Sequence, residues 1–341
     1  MNFNEHNIVI SLLFCSCFYI ISLYFQFKKE NTKLAFISLF IGTLLLRLLF
    51  TTLDPYLADW DERFHALVSK NLMDYPLKPM LRVKPILPYN VEAWCCNHIW
   101  VHKQPLFLWQ IAISMKFFGV NTIALRLPSA LMATIMVLFV YDIGKFWTQN
   151  QVIAFIAAFL YSMNSSFMEI IAGNLALDHN DMAFIFYVTG SIWAFSKYSN
   201  NQTYKWAIVV GFFVGCAILN KWLTGFLVYS GWGLASLLNK EDRTNRQFYL
   251  HIFASMIVSF LIFVPWQIYI SYVFPTETEA SYKHNTLHIF DDLGHKGTIF
   301  YHFKTAIEVY QKVGIFFILL GLFGVLSSTE ISKKHTFAYL L

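Results

Sequence analysis

The feature that most constrains this chain is a series of apolar runs, most of them about 20 residues long. A helix crosses the ~30 Å hydrocarbon core of a bilayer with about 20 apolar residues, so these runs predict membrane-spanning helices. Charged residues make up 13% of the chain, about half of the ~25% that is usual in soluble domains. The sequence therefore predicts an all-α polytopic membrane protein with about nine transmembrane helices. The nine candidate spans are 8–27, 34–53, 122–143, 151–168, 181–197, 206–220, 223–239, 250–273 and 306–327.

Two of these runs, 206–220 and 223–239, are short and are divided by Asn220-Lys221. They fit either two tilted helices or one broken helix, because each is shorter than a bilayer usually requires.

Positive charge is distributed unevenly between the loops, and this bias predicts the orientation of the chain. If residues 28–33 are cytoplasmic and the spans alternate, every cytoplasmic loop contains Lys or Arg, whereas the short outer connections 169–180 and 220–222 hold only Lys221. The large loops 54–121 and 275–305 then share the outer face with the polar segment 172–181. The net charge of +5 is explained by this bias, and we expect no nucleic-acid partner.

The sequence pattern of the outer loop 54–121 predicts two amphipathic helices that lie in the membrane interface. Spacing of i, i+3, i+4, i+7 would place four residues on one face of the first helix: Asp61, Phe64, His65 and Val68. Four prolines between residues 76 and 88 exclude a continuous helix there. Pro105 suits the first turn of the second helix, which would carry an apolar stripe of Leu106, Trp109, Ile113 and Phe117.

Five short motifs stand at the predicted outer ends of the spans. They are Asp61-Glu62, the stretch from His102-Lys103-Gln104-Pro105 to Trp109, Arg126-Leu127-Pro128-Ser129, Asn180-Asp181-Met182 and Leu219-Asn220-Lys221. In this order they resemble the first-loop acidic pair, the H-K-P-P-L-x-x-W stretch, and the R-L-P-S, T-D-M and L-T-K motifs of GT-C-type polyprenyl-phosphate-sugar glycosyltransferases. That family includes the protein O-mannosyltransferases and the aminoarabinose transferases that modify lipid A. The resemblance implies a GT-C-like fold, a multi-pass protein of the bacterial inner membrane, and an active site on the extracytoplasmic side.

The chain departs from the family pattern in three places. Residues 1–33 form an extra N-terminal transmembrane helix and a cytoplasmic turn, ahead of a GT-C-like catalytic module at 34–328. Residues 329–341 look like the start of a missing or truncated C-terminal part, since family members usually have more spans. Gln104 replaces the first proline of the usual pair, which is expected to change only local stiffness.

The reaction that the resemblance implies is the transfer of a sugar from a polyprenyl phosphate to an acceptor hydroxyl. A hydroxyl is a poor nucleophile at neutral pH, so a carboxylate that acts as a general base is useful. We assign this role to Asp61, with Glu62 orienting the acceptor or neighbouring groups and Asp181 assisting. The simpler interpretation of the first pair is that both are interfacial acids that pair with Arg63 or Lys70.

The leaving group of such a reaction is a lipid phosphate, which needs fixed positive charge nearby. Lys103 precedes a predicted helix start, where free N–H groups also favour an anion. Arg126 and Lys221 lie at outer membrane boundaries and are the other candidates for the phosphate site. The alternative for each of these residues is a cation that snorkels to the membrane interface.

Further polar residues of the outer loops are candidates for lining the substrate site: His65, His102, Asp178, His284 and Asn285. No cofactor is clearly required. A divalent metal is a weaker expectation, since Cys96, His98 and His102 supply ligands of the right type but match no strong zinc spacing.

The expected partners are a polyprenyl-phosphate-linked sugar, a protein or a lipid or glycan acceptor, and membrane lipids. A transporter or flippase is the main rival class, because many spans also suit substrate passage. An inactive, truncated relative of the enzymes is a further alternative. The ionisable residues gather at span ends and one large outer loop dominates, which favours the glycosyltransferase.

Overall fold

The structure, a computed structural model, describes residues 5–86, 88–92, 97–174, 177–238 and 240–290, together with 306–307, 314–316, 318–321 and 323. Helices form nearly all the regular structure of these residues. In chain order they are α1 Glu5–Phe27, α2 Thr32–Phe50, α3 Asp61–Leu72, α4 Leu106–Phe118, α5 Thr122–Thr148, α6 Gln151–Ser162, α7 Ser165–Ala172, α8 His179–Asn200, α9 Tyr204–Lys221, α10 Leu227–Leu238, α11 Lys240–Thr244, α12 Arg246–Val273 and α13 Pro275–Phe290. A 3₁₀ turn, Trp222–Phe226, joins α9 to α10.

Six segments of the described residues are long and apolar enough to cross a membrane: Glu5–Phe27, Thr32–Phe50, Thr122–Thr148, Gln151–Ala172, Tyr204–Leu234 and Arg246–Val273. In addition, α8 covers the predicted span 181–197 with 22 residues. The predicted span 306–327 lies largely outside the described residues, and 329–341 lies wholly outside them. The all-α membrane fold is thus confirmed, whereas the count of nine spans stays a prediction.

The segment Tyr204–Leu234 folds back on itself at the 3₁₀ turn. Trp222 has a φ of +56°, in the left-handed region that an α-helix cannot continue through. After the turn, α10 returns along the bundle, because the Trp232 ring contacts Tyr198 near the end of α8 and Phe248 near the start of α12. Of the two alternatives for 206–220 and 223–239, the structure therefore shows two helices that run in opposite directions.

Close packing in the centre of the bundle depends on small residues. α9 lies between α8 and α12, and Gly211 and Gly215 are one turn apart on the α12 side of α9. A Cβ at Gly215 would lie 3.0 Å from the Ser259 Cα atom, and the Ser259 hydroxyl donates to the Gly211 carbonyl at 2.9 Å. Such a Gly-x-x-x-Gly pair allows two membrane helices to approach closely.

The two predicted helices of the first loop exist as α3 and α4, and the buried face of α3 coincides only in part with the four residues predicted to share one face. Its buried residues are Glu62, His65, Val68, Ser69 and Leu72, whereas Asp61 and Phe64 are only half-buried. The α3 face is thus rotated toward Glu62, because Glu62 has a buried partner in α5.

α4 turns its predicted apolar stripe partly outward. Ile113 and Phe117 are 58% and 78% exposed, whereas Phe107 and Ile111 are fully buried. Apolar residues on both sides of α4 fit a helix that packs on the bundle with one face and meets lipid with the other.

The described parts of the polar segments that were predicted to converge lie at one end of the bundle. We call this end the site face: the last turns of α2, α9 and α12, the first turns of α5 and α8, and the helices α3, α4 and α13. At the opposite end, Lys197 pairs with Asp142 at 2.7 Å and Gln202 donates to Asp242 at 3.0 Å. The convergence is confirmed, while the side of the membrane that each end faces stays a prediction.

Candidate active site

A buried ion pair between Glu62 of α3 and Arg126 of α5 fixes the start of the first loop. Arg126 donates from Nε to Glu62 Oε1 at 2.8 Å and from Nη2 to Oε2 at 3.0 Å. The same guanidinium donates to the carbonyls of Asp54 and Tyr56 at 2.6 and 2.8 Å, and the Ala58 N–H donates to Glu62 at 2.6 Å. Both charged side chains are at most 5% exposed. We call this arrangement the clamp.

Gly173, just after α7, closes the clamp from the other side. Its φ is +76°, and a Cβ at this position would lie 2.7 Å from Arg126 Cζ. With its donors directed at Glu62 and two carbonyls, Arg126 is committed to protein partners. The phosphate role predicted for Arg126 therefore has no support from its surroundings.

His65 and Asp178, two candidates for lining the substrate site, are instead buried against each other. Asp178 Oδ2 pairs with His65 Nδ1, and its Oδ1 accepts the Asn180 N–H at 3.0 Å. Asp178 is also the N-cap of α8, in a capping box with Asp181. Burial alone would raise the pKa of Asp178, but the His65 imidazole and the Asn180 N–H outweigh it and hold that pKa below its usual value.

A buried hydrogen-bonded chain that the sequence did not single out runs beside this pair. His179 Nε2 lies 2.8 Å from Gln110 Oε1, and its Nδ1 lies 2.8 Å from the Ser129 hydroxyl. Because an amide oxygen only accepts, the proton of a neutral ring lies on Nε2 and Ser129 donates to Nδ1. Gln110 in turn donates to the Tyr187 hydroxyl at 2.5 Å. Gln110, a polar residue in the middle of the largely apolar α4, was the available signal for this chain.

The start of α8 and the end of α9 are joined by two polar contacts. Lys221 Nζ lies 2.5 Å from Asp181 Oδ1. One residue earlier on each helix, the Asn220 amide donates to the Asn180 carbonyl and to its side-chain oxygen, at 2.8 and 3.0 Å. The motifs around residues 180 and 220 were therefore correctly predicted to share one face.

A pocket of about 360 Å³ opens beside this junction. It is lined by His102, Lys103, Gln104, Asn180, Asn220, Lys221, Trp222, Leu223, Thr224, Asn285 and Thr286. Four of the predicted site residues, His102, Lys103, Lys221 and Asn285, thus come together from three distant parts of the chain. The volume is within the ~300–1,000 Å³ of small-molecule sites. Two ammonium groups among amides and hydroxyls suit an anionic, hydroxyl-rich ligand.

Lys103 and Lys221 differ in the contacts that their ammonium groups make. Lys103 is half-buried, and within the described residues no ion pair or hydrogen bond holds its ammonium. Lys221 is 35% exposed and shares its charge with Asp181. Lys103 also precedes the first turn of α4, whose free N–H groups favour an anion.

Gln104 was expected to affect only local stiffness, and this expectation was incomplete. Its side chain is buried, and its amide oxygen accepts from Gln267 of α12 at 2.7 Å. It therefore ties the start of α4 to a helix that is far away in sequence.

Asp61, the predicted general base, begins α3 outside the set of residues that line the pocket. It is half-buried, and no hydrogen bond or ion pair to its carboxylate is found among the described residues. The sequence alternative of pairing with Arg63 applies instead to Asp59, whose carboxylate lies 2.5 Å from the Arg63 guanidinium on the surface.

The remaining candidates lie next to the pocket. His284 faces His102 with ring centroids 5.5 Å apart, and both line a narrow neighbouring cleft that includes Glu277. Of the weak metal candidates, Cys96 lies outside the described residues. Among the residues that are described, no group of three or more His, Cys, Asp or Glu could hold a metal ion. A divalent metal stays a prediction.

Comparison with known proteins gives one family match and one curated relative. Residues 102–269 match the family model of dolichyl-phosphate-mannose-protein mannosyltransferase. An uncharacterized protein of Aquifex aeolicus (strain VF5) is 24% identical over 218 residues, which cover 63% of this chain and 40% of that protein.

Solved structures share the fold. ArnT from Cupriavidus metallidurans, bound to undecaprenyl phosphate, matches 89% of this chain and 53% of its own with a TM-score of 0.66 at 16% identity. The S. cerevisiae Pmt1-Pmt2 complex bound to the sugar donor matches 71% of this chain and 33% of its own, with a TM-score of 0.50 at 15% identity. The chain thus spans about half the length of ArnT. The GT-C fold predicted from the sequence is confirmed.

Proposed function

We propose that this membrane protein of GT-C fold transfers a sugar from a polyprenyl-phosphate donor to a hydroxyl of a protein, lipid or glycan acceptor. The observation that carries the proposal is the pocket, where Lys103 and Lys221 lie among amide and hydroxyl side chains. The donor class is further supported by relatives whose structures hold undecaprenyl phosphate or a sugar donor. The charge bias of the loops supports a site on the extracytoplasmic side.

In the proposed site, Lys103 and Lys221 bind the donor phosphate. As the bond between the sugar C1 and the phosphate oxygen breaks, its electron pair stays on the lipid phosphate, and a nearby ammonium stabilises that charge. Lys103 is the stronger candidate because no carboxylate of the described residues pairs with it. Arg126 is left out of this role, since the clamp uses its donors.

Asp61 is the proposed general base. The acceptor oxygen forms the new bond to the sugar C1, and the hydroxyl proton passes to the carboxylate. Asp61 suits this role better than Asp181, because Asp181 is paired with Lys221 and an ammonium partner makes a carboxylate a weaker base. Glu62 orients the start of α3 through the clamp and does not itself face the acceptor.

The test measures transfer with the full chain in isolated membranes. Radiolabelled undecaprenyl-phosphate esters of mannose, glucose and aminoarabinose are supplied as donors, and label in endogenous protein and lipid acceptors is counted. We expect product with one ester, and about a hundredfold lower turnover for Lys103→Ala, the loss typical of removing one electrostatic group. The matched control is Lys116→Ala, an exposed lysine at the other end of α4. If the wild type formed product with none of the three esters, the proposal would be contradicted.

A further inference from the structure

The wall of the pocket contains a tryptophan in an unfavourable backbone conformation. Trp222 has a φ of +56° and a ψ of −143°, a region that bulky residues avoid and that persists only where the surroundings enforce it. A glycine would adopt this conformation without strain. A large aromatic side chain in this conformation suggests a use for the ring itself.

Trp222 is held in place by a second ring. Its indole stacks on Tyr282 of α13 with centroids 5.2 Å apart and an interplanar angle of 22°. Trp222 lines the pocket, whereas Tyr282 is not among the lining residues, so the indole lies nearer to the pocket than the Tyr282 ring does. Stacking of this kind fixes the orientation of a flat surface.

The second ring is in turn braced by two glutamines. The Tyr282 hydroxyl donates to Gln267 Oε1 at 2.7 Å, and Gln267 Nε2 donates to Gln104 Oε1 at 2.7 Å. Gln104 follows Lys103 directly and also lines the pocket. The chain of contacts therefore links the start of α4 to the position of the indole through α12 and α13.

We propose that Trp222 is a platform for the sugar ring of the donor, and that Gln104 is a positioning residue that sets this platform through Gln267 and Tyr282. This proposal rests on the function proposed above. A pyranose presents C–H groups on its face and hydroxyls on its rim, so it suits a flat aromatic surface surrounded by amides. Asn180, Asn220 and Asn285 supply those amides in the same pocket.

The same surroundings separate the sugar from the lipid chain. Lys221 immediately precedes Trp222, which keeps the phosphate beside the indole. Leu223 and Leu227 follow it and are 50% and 68% exposed, an apolar surface that suits the prenyl chain. The indole therefore lies where the polar part of the ligand is recognised.

The test compares the affinity of undecaprenyl phosphate with those of its sugar esters, in which the sugar occupies one ionisable oxygen of the phosphate. The purified full chain in lipid nanodiscs is titrated with radiolabelled undecaprenyl phosphate and with its mannose, glucose and aminoarabinose esters. The readout is selectivity, the ratio of the Kd for undecaprenyl phosphate to the Kd for the preferred ester. We expect Trp222→Gly to lower selectivity by about 2- to 10-fold, the range of one aromatic contact, with the Kd for undecaprenyl phosphate unchanged.

Further variants separate positioning from contact. Trp222→Phe keeps a ring and should retain part of the selectivity. Tyr282→Phe, which keeps the stacking ring, and Gln104→Ala, which removes the brace, should each lower selectivity by about 2- to 3-fold through one lost hydrogen bond. Lys103→Ala should weaken both kinds of ligand without lowering selectivity, because undecaprenyl phosphate carries more negative charge than its esters. The control Tyr272→Ala removes an 87% exposed ring elsewhere on α12 and should change nothing.

Each contrary result has its own meaning. Equal weakening of both ligands by Trp222→Gly would assign the indole to the lipid chain and overturn the platform. The platform would also be overturned if the wild type bound no ester more tightly than undecaprenyl phosphate. The same holds if the Trp222→Gly protein kept the selectivity of the wild type. If the wild type binds neither undecaprenyl phosphate nor its esters, the proposed function itself fails. Because glycine suits the conformation at residue 222, misfolding does not explain a loss in that variant.

Discussion

Two ion pairs on the site face use the same kinds of residue and end up in opposite situations. In the clamp, Arg126 and Glu62 are 2% and 5% exposed, and backbone groups complete their hydrogen bonds. At the pocket, Lys221 and Asp181 are 35% and 15% exposed, and the ammonium borders open space. A buried guanidinium needs all its partners within the protein, whereas a half-exposed ammonium keeps donors for a ligand. The comparison teaches that burial, and not charge or sequence position, distinguishes the pair that holds the loop from the pair that borders the pocket.

The largest expected effect is on the clamp. Glu62→Ala leaves Arg126 buried without its carboxylate, and we expect the free energy of unfolding to fall by about 3–5 kcal/mol. Lys221→Ala breaks the half-exposed pair and should change it by only about 0–1 kcal/mol. Thermal unfolding of both variants in detergent measures the contrast. Similar losses of stability in the two variants would show that burial does not distinguish the two ion pairs.

A second expectation concerns the neighbouring carboxylates of α3. Asp61→Asn should lower the transfer rate by about a hundredfold or more, since it removes a general base, while leaving thermal unfolding unchanged because the Asp61 carboxylate has no partner among the described residues. The control is Asp59→Asn, an exposed acid paired with Arg63, which should keep its activity. Full transfer by the Asp61→Asn protein would remove the assigned role.

Gly173 offers a steric test of the clamp. Gly173→Ala forces a Cβ against the Arg126 guanidinium at a positive φ, so we expect a loss of about 1–3 kcal/mol of stability, as for other overpacked sites. Gly233→Ala is the matched control, because a Cβ there meets nothing within 4 Å and an alanine favours the helix. Scanning fluorimetry measures the unfolding temperatures of the two variants. An unchanged unfolding temperature of Gly173→Ala would show that the Arg126 side chain has room to move away from the added Cβ.

The smallest expected effect is a pH dependence from the buried pair beside the clamp. The pKa of Asp178 is lower in the folded protein than in the unfolded chain, so its contribution to stability is present above the unfolded pKa of about 3.9. As pH falls through the lower folded pKa, that contribution is lost. The stability advantage of the wild type over Asp178→Asn should hold at about pH 5 and shrink below about pH 4. Unfolding temperatures of the two proteins, measured across this pH range, test the expectation. If the stability advantage of the wild type already shrank well above pH 5, the titration of Asp178 would not be its cause.

The sequence by itself determined the membrane class, the positions of most spans and the convergence of the polar motifs. These are local properties, because the length of an apolar run decides whether it spans a bilayer and alternate crossings then decide which ends meet. The resemblance carried by five motifs also predicted the GT-C fold, and it named Lys103 and Lys221, which line one pocket.

Only the tertiary structure decided which charges are buried. Asp61 and Glu62 are adjacent in the chain, but successive residues of a helix are rotated by about 100°. Glu62 therefore faces Arg126, whereas Asp61 stays half-buried without a partner among the described residues. Likewise, nothing near Gln104 in the chain points to Gln267, and nothing near Trp222 points to Tyr282. Hydrogen bonds and ring stacking between distant helices depend on how those helices pack, and that is why these partners became visible only in the folded protein.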